Sequence, residues 1–244
     1  MVEINQQVLE HPRNENILFE KEDHTYEHLP SGEMWKGITS LISEYTEDFD
    51  ADGIATFVAQ REGTTKEKIL DQWNRKGQRA IKYGNQVHDM IEDYNNIGDV
   101  PEDDANFDAY LEAIEEMGLE PVCSEWVIYD ERIKRASAID GVYHLDGKLV
   151  IVDYKTNESI SKLFKVYKNQ TFFYPISELP DCKFFKYTIQ LNIYHKILTD
   201  LYDVPLADEM FVLHIRDGET MWLPICKMRD QVDKLYEETI ALMP

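Results

Sequence analysis

The stretch from Ala138 to Thr156, A-I-D-G-V-Y-H-L-D-G-K-L-V-I-V-D-Y-K-T, constrains this chain more than any other. Leu149, Val150, Ile151 and Val152 form an unbroken apolar run, the pattern of a strand covered on both faces. At its end stand Asp153 and Lys155, which project from one face because strand side chains alternate. Upstream, Asp146-Gly147 is a hairpin turn signal, with strands expected at 136–140, 142–145 and 149–154. Asp140 lies just before the hairpin. Carboxylates and a lysine on a buried strand are costly unless they pair or bind a metal. Either one end of a central strand opens into a charged site, or Asp153 and Lys155 are a surface pair on an edge strand and Asp140 starts a turn with Gly141; the apolar run before Asp153 favours the first. Two carboxylates and one lysine there suit metal-assisted hydrolysis of a phosphodiester.

The chain has 244 residues, enough for one large domain, and a 43% hydrophobic fraction that can fill its core. No apolar run approaches the ~20 residues of a membrane span. The N-terminal residues show no basic segment followed by an apolar one, so a cytoplasmic location is expected. Cys123, Cys182 and Cys226 are too scattered for a disulfide framework or a zinc knuckle.

The net charge of -22 sits awkwardly with a phosphate ligand. A solvated outer face accounts for most of it, with Glu102, Asp103, Asp104, Asp108, Glu112, Glu115, Glu116 and Glu120 close together. An acidic partner-binding or DNA-mimicking surface is the alternative. The cations cluster: Arg75, Lys76, Arg79 and Lys82, then Lys162, Lys165 and Lys168, then Lys183 and Lys186. A local positive groove inside an acidic protein is thereby allowed.

Along the chain, 17–20 alternates as a strand, 30–33 is a turn, and 34–38 is extended. Thr39 or Ser40 is expected to cap a helix at 41–45. Helices are expected at 52–75, broken near Gly63, then at 77–95 and 104–117. After the central strands, 157–180 is polar, basic and aromatic, a loop suited to facing a substrate. A helix at 183–202, a hairpin at 210–224 and a terminal helix at 227–242 complete the order. This predicts an α/β fold with a central mixed sheet flanked by helices.

Three further residues bear on the chemistry. His88 lies on the helix at 77–95, one turn after Gly84, and an imidazole there could complete a metal site with Asp140 and Asp153. Gln190 and Tyr194 share a helix face and offer groups suited to a nucleotide or its phosphate. Each of these alone is a weak signal.

Taken together and in order, these residues resemble the RecB-like exonuclease branch of the PD-(D/E)XK nuclease superfamily. The resemblance rests on His88 on its helix, Asp140-Gly141, V-D-Y-K-T at 152–156 and Q-L-N-I-Y at 190–194. I-T-S-L-I at 38–42, W-N-R-K-G-Q-R-A-I-K-Y-G-N-Q-V-H at 73–88 and P-I-S-E-L-P-D-C-K at 175–183 are similar to phage-encoded and mitochondrial genome maintenance relatives. Where many relatives place a glycine before the first aspartate, this chain has Ser137 or Ala138.

The resemblance implies a restriction-endonuclease-like core in a single domain over 1–244. Its helical elaboration at 52–118 would wall a DNA channel, and its catalytic sheet would span 121–224. It implies a Mg²⁺- or Mn²⁺-dependent DNA exonuclease acting on single strands or ends, with one or two metals per site; some relatives bind an iron–sulfur cluster through four cysteines, but with only three, unclustered, none is expected here. His88, Asp140, Asp153 and the main-chain carbonyl of Tyr154 would hold metal, with Lys155 beside the attacked phosphate. Gln190, Tyr194, Arg79, Lys82 and Ser40 would touch DNA, with Arg75 and Lys76 also inside the channel and Glu125 in support. DNA, and replication or recombination proteins, are the expected partners, in a host cytoplasm if the chain is phage-encoded, with no membrane. A structure-specific or restriction-type endonuclease is one alternative. An inactive nuclease fold serving as an acidic interaction or DNA-mimic protein is another.

Overall fold

The computed structural model describes residues 2–20 and 25–243. In chain order these form α1 (Val2–Leu9), a 3-10 turn (Pro12–Asn16), β1 (Ile17–Glu20), β2 (Thr25–His28), β3 (Glu33–Gly37), α2 (Ile38–Glu44), α3 (Ala51–Glu62), α4 (Lys66–Ile97) and α5 (Ala105–Glu116). There follow β4 (Glu120–Asp130), β5 (Arg135–Leu145), β6 (Lys148–Lys155), α6 (Lys183–Ile197), β7 (Leu206–Arg216), β8 (Glu219–Ile225) and α7 (Arg229–Leu242). The fold is mixed α/β, with one eight-stranded sheet between two layers of helices.

β6 is central because both of its faces are apolar. Leu149 and Ile151 pack on the side of α2, α6 and α7, while Val150, Val152 and Tyr154 pack against α4 and α5. Its neighbours are β5, antiparallel through the hairpin, and β7, parallel. The turn between β5 and β6 holds Asp146 and Gly147 at φ 50° and 81°, as a tight hairpin of this sequence requires. β5 pairs with β4 along one edge. Its other edge is shared: β3 pairs with it in parallel at Arg135 and Ala136, and β6 takes over from Gly141. Between those two partners the edge at 137–140 opens into a cleft.

Three expectations are corrected. The strands expected at 136–140 and 142–145 are one strand, β5. Gly141 does not turn the chain there; it makes room for Tyr154, whose hydroxyl would lie 2.1 Å from any Cβ at that position. The helix expected at 77–95 begins at Lys66, capped by Thr65, whose side chain accepts from the Lys68 N–H, and runs for 32 residues to Gly98. Gly77 is tolerated inside it because nothing packs on that position. α2 starts after Gly37 with no side-chain cap, so neither Thr39 nor Ser40 caps it. Strand β2 was not separately expected.

The long helix α4 has two halves. Val87 and Ile91 join the sheet's core, whereas Ile69, Leu70 and Trp73 pack with Ala55, Val58 and Ala59 of α3 in a small cluster of their own. The α3–α4 hairpin therefore has a core of its own, apart from the sheet's. No helix among the described residues is long and apolar enough to cross a membrane.

Candidate active site

The cleft at the open edge of β5 has a volume of about 570 Å³ and is lined from β1, β2, α2, β4, β5, β6, α4 and α6. Alternation along β6 sends Tyr154 to the α4–α5 side and Asp153 and Lys155 to the α6 side. Asp153 is 1% exposed. Its Oδ2 lies 2.6 Å from Lys155 Nζ, and its Oδ1 accepts from the Gln190 amide at 3.0 Å. Lys155 Nζ lies 3.9 Å from Asp140 Oδ2 and 4.7 Å from the centre of the Tyr187 ring. The same Asp140 oxygen accepts from the Tyr154 N–H at 2.8 Å, which ties β5 to β6 where their ladder ends.

α4 delivers His88 to this point. Its Nε2 is 3.1 Å from the Tyr154 carbonyl oxygen and its Nδ1 is 3.8 Å from Asp140 Oδ2. Gly84 makes the approach possible: a Cβ there would sit 3.1 Å from Thr156 Oγ1. From β4 comes Glu125. Ser124 faces Gly141 and Trp126 faces Ile139, so Glu125 stands across from Asp140. Its backbone takes φ 57°, a conformation uncommon for a residue other than glycine. Like charges directly across a strand pair repel.

Burial pushes the Asp153 carboxyl above its ordinary range; Lys155 pulls it down and Asp140 adds to the rise. The Lys155 ammonium is also pushed up on balance. Burial alone would lower it, but Asp153 and Asp140 raise it and keep it a cation.

The donor set fits a hard divalent cation. Ligand atoms of His88, Glu125 and Asp140 all lie within 4.8 Å of one another. The buried Asp153 Oδ2 accepts no aligned hydrogen bond among the described residues. Carboxylate oxygens, one imidazole and the nearby Tyr154 carbonyl are ligands that magnesium or manganese accepts.

The remaining expected site residues fall in three groups. Gln190 and Tyr194 line the cleft but are 7% and 1% exposed. Gln190 donates to Asp153 and, at 2.8 Å, to the Tyr194 hydroxyl, which also meets Ser137 Oγ at 2.6 Å. Gln190 thus holds the Asp153 carboxylate, and Tyr194 holds Gln190. Ser40 is exposed, and its neighbour Thr39 is the residue that lines the cleft. Arg79, with Arg75 and Lys76, lines a separate groove on another flank of α4, and Lys82 is exposed outside both. Tyr187, which the sequence reading passed over, covers the Lys155 ammonium; an aromatic one turn before Gln190 was the available signal.

Among the solved structures similar to this chain are the following two. One is a protein from Eubacterium rectale provisionally described as an exonuclease, 16% identical with a TM-score of 0.38, the match covering 83% of this chain and 68% of the other. The second is SSO0001, 15% identical with a TM-score of 0.30, and the match spans just over half of each chain, 57% of both. No protein-family profile matches the chain, and neither does any curated protein.

Proposed function

We propose that this chain is a metal-dependent nuclease that hydrolyses phosphodiester bonds of DNA. The observation that carries the reading is the convergence of Glu125, Asp140 and Asp153 on one cleft with Lys155 and His88. Three carboxylates lining one cleft with a single lysine leave an excess of negative charge that a divalent cation would offset.

His88, Glu125, Asp140, Asp153 and the Tyr154 carbonyl would hold the ion. A divalent cation bound there supplies a Lewis acid and a water of lowered pKa. The protein's own groups do the rest. Gln190 and Tyr194 fix the Asp153 carboxylate in one orientation. Lys155 remains protonated, so it serves as a fixed cation against the charge developing on the phosphate and not as a base. Tyr187 shields that cation from water on one side.

The oxygen-rich donor set favours Mg²⁺ or Mn²⁺. The resemblance of the His88, Asp140, Asp153–Lys155 and Gln190–Tyr194 motifs to RecB-like exonucleases favours action on single strands or ends. The test sets linear against covalently closed circular DNA with Mn²⁺. Loss of the linear form alone is the expected result. Nicking or linearisation of the circle would replace the exonuclease reading with an endonuclease one.

A further inference from the structure

α4 carries two chemically different flanks. At 100° per residue, Ile81, Gly84 and His88 share the flank that faces the cleft, while Arg75, Arg79 and Tyr83 turn away from it. A second groove of about 540 Å³ lies on that other flank, where α4 meets the end of β7. Four cations, Arg75, Lys76, Arg79 and Arg216, and one acid, Glu158, line it. The whole chain has 25 cations to 47 acids, so an average groove would show nearly two acids per cation. This one inverts the ratio.

The cations are held in place. Arg216 donates to the Thr156 carbonyl at 2.9 Å and stacks 4.5 Å from the centre of the Tyr83 ring. Lys76 reaches Glu158 at 2.8 Å, and Lys162 meets the same carboxylate at 2.8 Å. That strap joins α4 to the segment leaving β6. Arg75 pairs with Asp71 within its own helix. Arg79 has no ion-pair partner among the described residues. Planar guanidinium groups match phosphate oxygens two at a time.

We propose that this groove binds the phosphate backbone of the nucleic-acid strand whose reacting phosphate lies at Asp140 and Asp153. The proposal rests on the nuclease reading. Along α4, Arg79 is about 14 Å and Arg75 about 20 Å from His88. The groove therefore meets the backbone a few nucleotides from the cleft. It is a second phosphate-binding surface that lets an acidic protein keep hold of its substrate.

The test measures binding of a fluorescent 12-nucleotide DNA by anisotropy, in chelator and across a salt series. It compares wild type with the double variant Arg75→Ala, Arg79→Ala, and with the control Lys148→Ala, Lys234→Ala, which removes the same charge elsewhere. The groove variant should bind roughly tenfold or more weakly, with a log–log salt slope shallower by about 1.4, since each lost phosphate contact removes ~0.7 for a single strand. The control should match wild type. Unchanged affinity and slope in the groove variant, or an equal loss in the control, would overturn the proposal. Hydrolysis of linear DNA by wild type is followed in parallel with Mn²⁺. No hydrolysis, with binding still sensitive to Arg75 and Arg79, would overturn the nuclease reading and leave the groove. Hydrolysis with binding indifferent to both would overturn the groove alone.

Discussion

At the end of β6, Tyr154 faces one way and Asp153 and Lys155 the other, and the two faces treat buried polar groups differently. On the α4–α5 side the Tyr154 hydroxyl bonds Tyr143, which meets Tyr110 at 2.9 Å. Tyr110 donates to Asn95 Oδ1 at 2.6 Å, and Asn95 donates to Ser124 at 2.9 Å. Burial pushes the Tyr143 hydroxyl up to about 12, so these partners stay neutral. Donors and acceptors match, and the network closes on itself. On the other side Asp153 and Asp140 lie within 4 Å of the Lys155 ammonium, and Glu125 lines the same cleft. One face satisfies its polar groups within the fold; the other gathers ionisable groups at a cleft that could hold a cation. The first anchors the strand that the second uses.

The largest break in this comparison should come from Lys155→Ala. Removing the one cation that touches Asp153 should lower DNA hydrolysis by roughly a hundred- to a thousandfold, the scale for losing one group that stabilises transition-state charge. Single-turnover rates with Mn²⁺ check this. Next comes cation-linked stability. Saturating Mn²⁺ at about a hundred times its Kd should stabilise wild type by about 2.7 kcal/mol. Asp140→Asn or Glu125→Gln should erase most of that gain in thermal unfolding. An equal gain in the variants would place the ion elsewhere.

On the neutral face the outcome should be the reverse. Asn95→Ala leaves the Tyr110 hydroxyl without its acceptor and should cost about 1–3 kcal/mol of stability. Its effect on the rate should be small, which denaturant unfolding beside kinetics would reveal. A rate loss comparable to that of Lys155→Ala would mean that the two faces are not separable.

The smallest effect is expected at Gln190→Ala, about tenfold in rate. It also shifts a pH profile. Asp153 must be ionised to hold a cation, and burial already raises its pKa, so Mn²⁺ affinity should fall as pH drops, beginning above the ordinary carboxylate range. The Gln190 N–H favours the ionised form, so its removal should move that midpoint to higher pH. Calorimetric titration with Mn²⁺ over a pH series checks the direction.

How much of this was legible in the sequence differs by residue. Asp153 and Lys155 followed from the apolar run before them, because strand alternation leaves no other arrangement. The Asp146-Gly147 turn was equally direct. Asp140 was found, but its strand was split in two, because Gly141 looks like a turn residue until the Tyr154 ring is seen to lie over it. The continuity of α4 through Gly77 was hidden for a similar reason: the helix there packs on nothing, so a glycine costs only its propensity. Gln190 and Tyr194 were located correctly on one face, but sequence does not say whether that face meets ligand or protein, and here both are buried against Asp153. Arg75, Lys76 and Arg79 were visible as a cluster. That they lie across α4 from the cleft depends on which side of the helix the sheet occupies.

The central claim is that the charged face of β6 hydrolyses DNA with a bound cation. End-labelled linear DNA incubated with purified wild-type protein and with Lys155→Ala, each with Mn²⁺ and with chelator, tests it most directly. The account predicts degradation by wild type with Mn²⁺ and none in the other three reactions. An intact label with wild type and Mn²⁺, or equal degradation by Lys155→Ala, would contradict it.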